Sequence, residues 1–255
     1  MKPRILKLST MGRIILLFLI IIPVTLFAQK EVTWDYPINP ETKEWSNFKS
    51  YDERLNAYNI PADILENMST EELVKICLAY PEFRLIMTRN SLQEGYGYLK
   101  SIFNGFEELE KREDAGNQLI NEYRKLNPLN VKIYGKLVEQ GRFAFRFTYL
   151  ELLLAQRPIL LSMSNNTKKE LLELSISNYE GKRDLTEYYA TFGLQTQALV
   201  LGRLLDIDKY QAYISMREND ESVRRFIDSS ILYDKSSLSA IVNLAKKYKS
   251  QLKNE

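Results

Sequence analysis

The sequence predicts an all-α protein: a single multi-helix domain of packed helical hairpins, able to wind into a superhelix, led by an extended N-terminal arm. Three observations predict it. Apolar residues recur at spacings of three and four in one segment after another, helix-starting caps precede several of those segments, and no series of alternating strands joined by hairpin turns runs through the 255 residues.

The chain opens with MKPRILKLSTMGRIILLFLIIIPVTLFAQK, in which Lys2, Arg4, Lys7 and Arg13 stand before an apolar run ending at Ala28. That order is the layout of a secretory signal peptide. The run is shorter than the roughly 20 residues that span a bilayer comfortably, and Ala28 is small enough for cleavage before Gln29. Residues 1–28 therefore read as an export signal, with the mature chain periplasmic or extracellular. Met11 is an alternative start, because MGRIILLFLIIIPVTLFA is already a complete signal. An uncleaved segment would instead anchor the chain in a membrane.

Residues 29–58 read as an arm and a first helix. Pro37 and Pro40 keep the start non-helical, and Trp34 and Trp45 are anchors against the domain or, in a sharper reading, platforms for sugar stacking. Residues 59–255 form the helical domain, which begins at Pro61, a residue suited to a first helical turn. In NMSTEELVKICLAYPEF, Ser69 and Glu72 make a capping box and Met68 and Leu73 a hydrophobic staple. Leu73, Ile76, Cys77 and Tyr80 form the apolar face, and Pro81 ends the helix. Cys77 is the only cysteine, so no intramolecular disulfide forms, and its place on that face predicts a buried, inert thiol.

Leu92, Tyr96, Leu99, Phe103 and Phe106 make the next stripe, on one helix or on two broken at Asn104-Gly105. DAGNQLINEYRKLNP predicts a helix ending before Pro128, and VKIYGKLVEQG another ending at Gly141. RFAFRFTYLELLLAQRP is ambiguous: Phe143, Phe145, Phe147 and Tyr149 alternate as in a strand, yet a helix over residues 142–156 aligns Phe143, Phe147, Leu150 and Leu154. The helix is preferred because no partner strand is visible. SNNTKKELLELSISNYEGK follows, and its ELLELSISNYE echoes ELVKICLAYPE, weak grounds for a repeat. The last helix is expected to bury Leu238, Ile241, Val242, Ala245, Tyr248 and Leu252 and to keep Lys246, Lys247, Lys249 and Lys253 wet.

IPADILENMSTEELVKICLAYP, QEGYGYLKSIFNGFEELEKREDAG, YLELLLAQRPIL and FGLQTQALVLGRLL together resemble a loose group of exported, all-helical bacterial proteins to which no activity is attached. The resemblance spans Trp45 to Leu205. It implies export and an all-helical fold, and it carries over no catalytic residue.

Removing residues 1–28 takes away four of the 35 Lys and Arg and none of the 33 Asp and Glu, leaving the rest near neutral with its charges scattered. Nothing in that balance calls for nucleic acid. Histidine is absent, which excludes Ser-His-Asp and Cys-His catalysis, H-E-x-x-H sites and most zinc or copper sites. No phosphate-cradling glycine loop or EF-hand occurs, and the two S-x-x-K matches, at Ser46 and Ser250, lack their companion motifs. Neither a cofactor nor a metal is expected. The chain is expected to be an exported helical binding or structural module, more a non-enzyme than an enzyme, with an unidentified protein, peptide or glycan partner and membrane contact only through an uncleaved N-terminal segment. The alternative is a carboxylate-dependent glycan hydrolase. Candidate ligand-binding residues are Glu94, among small and aromatic neighbours, and Glu151 and Arg203, which stand on apolar helix faces. A carboxylate on such a face needs a cation, and Glu151 is expected to pair with Arg203.

Overall fold

Where a side chain caps the start of an α-helix in this chain, it is most often a serine. In the computed structural model, which describes residues 34–252, the hydroxyls of Ser50, Ser69, Ser91 and Ser164 each accept from the backbone N–H three residues on, at 3.1–3.2 Å. Asp220 does the same for Ser222 and Val223. Each cap satisfies one of the orphan donors of a first turn and contributes about 1 kcal/mol. The export signal, its cleavage near Ala28 and the first residues of the arm lie outside the described residues.

Three short 3-10 turns and thirteen α-helices result, with no strand among the described residues. After the turn Glu44–Asn47 come α1 (Tyr51–Asn56), α2 (Ala62–Asn67) and α3 (Thr70–Leu78), then the turn Phe83–Thr88, α4 (Leu92–Ile102), α5 (Asn104–Lys111) and α6 (Ala115–Arg124). The turn Pro128–Ile133 leads to α7 (Leu137–Leu154), α8 (Arg157–Ser162), α9 (Asn165–Arg183), α10 (Thr186–Ile207), α11 (Gln211–Asn219), α12 (Glu221–Ser229) and α13 (Ser236–Leu252). The ambiguous RFAFRFTY segment is helical, but α7 begins at Leu137 and passes through Gly141, so no helix ends at that glycine. The break in the aromatic stripe falls at Phe103, one residue before Asn104-Gly105.

One continuous apolar core fills the domain. At its centre lies α10, packed against α7, α9 and α13, with Thr196–Leu205 almost entirely buried. A second, aromatic part of the core lies near the N-terminal end. There Tyr80 stacks on Phe103 at 4.6 Å, Tyr36 meets Tyr58 edge-on at 5.6 Å, and the Tyr36 hydroxyl donates to Ile76 O at 2.8 Å. Trp45 lies 5.4 Å from Tyr58 with the Arg54 guanidinium over its ring, and both tryptophans pack half-buried against the core. That is the anchoring arrangement rather than an open platform. Cys77 has no exposed surface, and burial pushes its thiol well above the usual range. The turn Phe83–Thr88 approaches α4 at Gly95, where a Cβ would stand 2.2 Å from Ile86 O. Only glycine allows that approach.

Helix α10 is interrupted at Ala190, whose φ of 49° and ψ of −167° lie in a region essentially reserved for glycine. The kink follows Tyr189, whose hydroxyl donates to Pro128 O at 2.8 Å and fixes the start of α10 against the Pro128–Ile133 turn. Ala190 itself is exposed. Glycine there leaves no void and removes the strain, so Ala190→Gly is expected to raise stability by about 1 kcal/mol after the extra unfolded-chain freedom is subtracted. A thermal midpoint that falls would show that the alanine conformation is unstrained.

Candidate functional site

Glu151, on the apolar face of α7, is 0 % exposed, and the cation that pairs with it is Lys182 of α9, also 0 % exposed. The expected Glu151–Arg203 pair is therefore corrected. The carboxylate is fully satisfied: Oε1 accepts from Lys182 Nζ and from the Tyr123 hydroxyl at 3.0 Å, and Oε2 accepts from Thr196 Oγ1 at 2.6 Å. The ammonium spends its other protons on Gly193 O at 3.3 Å and Gln197 Oε1 at 3.4 Å. Its flanks are aromatic, with Nζ 4.6 Å from the Phe147 ring centre and 5.6 Å from that of Tyr189. Burial pushes the Lys182 ammonium down from its ordinary value, against the opposing pull of Glu151, and the same burial raises the Tyr123 phenol well above its own. Four helices, α6, α7, α9 and α10, meet on this one ion pair, and no face of it reaches solvent. Such a centre fixes register; it offers no access to a ligand.

Arg203 lies elsewhere and has a different task. Its Nε and Nη2 donate to Ile227 O at 3.2 and 3.1 Å, and Nη1 donates to Ala155 O at 3.1 Å. Ala155 caps the C-terminus of α7 and Ile227 lies in the last turn of α12. One guanidinium thus satisfies orphan carbonyls at two helix C-termini, where the helix dipole also favours a cation. Burial lowers its pKa to about 10, so it remains charged at neutral pH. Glu94 is exposed and sits in the first turn of α4, where its backbone N–H is the donor that Ser91 caps.

Arg203 also belongs to the wall of an open cleft of about 370 Å3, bounded by α4, α5, the start of α8 and the ends of α10, α11 and α12. Four cations, Lys100, Arg157, Arg203 and Arg217, face three carboxylates, Glu110, Asp206 and Asp228. Glu110 is held by Lys100 at 2.9 Å and by the Tyr96 hydroxyl at 2.8 Å. Arg217 reaches both Asp206 at 2.7 Å and Asp228 at 2.5 Å. Arg157 touches Asp206 only at 3.6 Å, and its side chain is 62 % exposed. Two buried polar atoms in the lining, Gln93 Oε1 and Arg217 Nε, have no hydrogen-bond partner within the protein. Both atoms lie beneath the cleft surface, so what the cleft presents to a polar ligand is the exposed Arg157 guanidinium.

Among the described residues no cluster of Cys, Asp and Glu is placed to hold a metal ion. Of the three sequence-derived site residues, only Arg203 lies in the cleft. Gln93, Arg157 and Arg217 gave no sequence signal, because each reads as an ordinary solvated helix residue. Comparison with family models, curated proteins and solved structures finds no match to this chain.

Proposed function

We propose that this is an exported all-helical binding module, whose site is the cleft between α4 and the ends of α10, α11 and α12. Its ligand is a short polar chain, peptide or glycan, bearing an anionic group. The observation that carries this reading is Arg157, a guanidinium left largely free at the rim of a cleft whose other cations are held, Lys100 and Arg217 by carboxylates and Arg203 by backbone carbonyls. A free guanidinium is suited to bidentate contact with a carboxylate or phosphate. The glycan-hydrolase alternative is less well supported, since it asks for one neutral and one ionised carboxylate facing each other, whereas Glu110, Asp206 and Asp228 each contact a cation.

Screening the full chain against acidic peptides and acidic glycans should return a ligand, and Arg157→Ala should weaken it by roughly 10- to 100-fold with an unchanged melting curve, the loss expected for one charged hydrogen-bonded contact. Equal binding by the variant would remove the cleft from consideration. The export part of the reading is checked by N-terminal sequencing of the secreted protein, which should begin at Gln29.

A further inference from the structure

We propose that the stretch from Leu129 to Val138 is a membrane-docking surface, seated on a bilayer that carries anionic lipid. Leu129, Ile133, Leu137 and Val138 are 57 %, 77 %, 81 % and 65 % exposed, and they fall within one short stretch of chain. Scattered single exposures are ordinary on a protein surface; four large aliphatics grouped in this way are not. Phe145, also exposed, extends the same face up α7 two turns beyond Val138.

The stretch is firmly held, so its exposure is not the looseness of a dangling loop. Val131 is buried, Pro128 O accepts from Tyr189, the Asn127 side chain accepts from Leu129 N at 3.0 Å, and Gln140 Nε2 donates to Tyr134 O at 2.8 Å. The Tyr134 ring rests 5.3 Å from that of Phe143. A surface held in this way loses little conformational freedom when it is covered.

Charge decides what covers it. Lys132 and Lys136 alternate with the aliphatics, Arg142 follows one turn after Val138, and from Lys125 to Arg142 the only acidic residue is Glu139 against four cations. None of Lys132, Lys136 and Arg142 has an ion pair with a described carboxylate. Protein interfaces are depleted in lysine at their centres. Segments that lie in the membrane interface combine aliphatic residues and tyrosine with lysine and arginine, the former entering the acyl boundary while the latter meet lipid phosphates. The contact uses none of the residues that line the cleft.

The test uses the full chain with a single environment-sensitive fluorophore at Val138→Cys, since Cys77 has no exposed surface to label. A control label at Glu218→Cys sits on α11, beside Arg217 and its partner Asp206 near the C-terminal end of α10, away from the end tied to Pro128. With vesicles of phosphatidylglycerol and phosphatidylcholine in equal parts, the Val138 label should shift to the blue and the Glu218 label should not. Adding Lys132→Gln and Lys136→Gln should weaken vesicle binding roughly 30-fold, and Ile133→Ser with Leu137→Ser should abolish the shift at an unchanged melting temperature. An unmoved Val138 label overturns the proposal, as does an equal shift on phosphatidylcholine alone. A shift that follows protein concentration without vesicles also overturns it, by showing that a second copy covers the surface.

Discussion

Lys182→Met is expected to lower the thermal midpoint of the full chain by about 10 °C. The variant leaves the Glu151 carboxylate without its cation at a place with no solvent, and removing one partner of a buried pair costs about 3–5 kcal/mol; each kcal/mol shifts the midpoint of a domain this size by roughly 2–4 °C. Glu151→Leu should cost a similar amount for the opposite reason, with the ammonium left among Phe147, Tyr189 and two neutral oxygens. Combining the two should recover much of the loss, because the Tyr123 hydroxyl keeps Gln197 Oε1 as an acceptor at 2.8 Å and Thr196 keeps Gly193 O at 3.4 Å. Strict additivity of the single effects would show that the two charges are not coupled. The pH dependence of Glu151→Leu gives a second readout. Burial alone then acts on Lys182 and holds its folded-state pKa below the unfolded value of about 10.4. Over the window between the two, the unfolded chain binds the extra proton, so stability rises with pH up to the unfolded value. The Lys182→Met variant, which has no amine at this site, should lack that rise.

Arg203→Met is the second large effect, with an expected cost of about 3 kcal/mol in denaturant unfolding. Methionine replaces the volume and none of the donors, so Ile227 O and Ala155 O both lose their side-chain partner. A buried acceptor without a partner costs about 1–3 kcal/mol. Arg203→Lys should restore less than half of this, because an ammonium on an unbranched stem cannot span two carbonyls as the planar fork does. If Arg203 served the cleft ligand alone, Arg203→Met would abolish binding and leave the unfolding midpoint in place.

The helical class was legible because it depends on local chemistry. Ser69 with Glu72, the stripe from Leu92 to Phe106 and the choice of helix over strand at Phe143–Tyr149 all rest on residues close in sequence, and all three segments are helical. That Glu151 needed a partner was legible too, since a carboxylate on an apolar face is costly wherever the fold places it. Which partner was not. Lys182 stands between Gly181 and Arg183 at the charged end of α9, and nothing within its own helix marks it as buried; the aromatic walls come from Phe147 and Tyr189 on other elements. The same limit acts in reverse at Ile133, Leu137 and Val138. Periodicity identifies an apolar residue but not whether a neighbouring helix will cover it, and here none does. The cleft was hidden for a third reason, because it joins α4 to helices more than a hundred residues further along the chain.

The central position of α10 also governs how the domain comes apart. Because α7, α9 and α13 all pack on it, its amide hydrogens from Thr196 to Leu205 have no route to solvent that leaves those three helices in place. Exchange with deuterium at these positions therefore proceeds through opening of the whole domain rather than through local fraying. The α10 amides report global stability directly, and a chain cut between α9 and α10 yields two pieces that each lack the other's packing surface and do not fold apart.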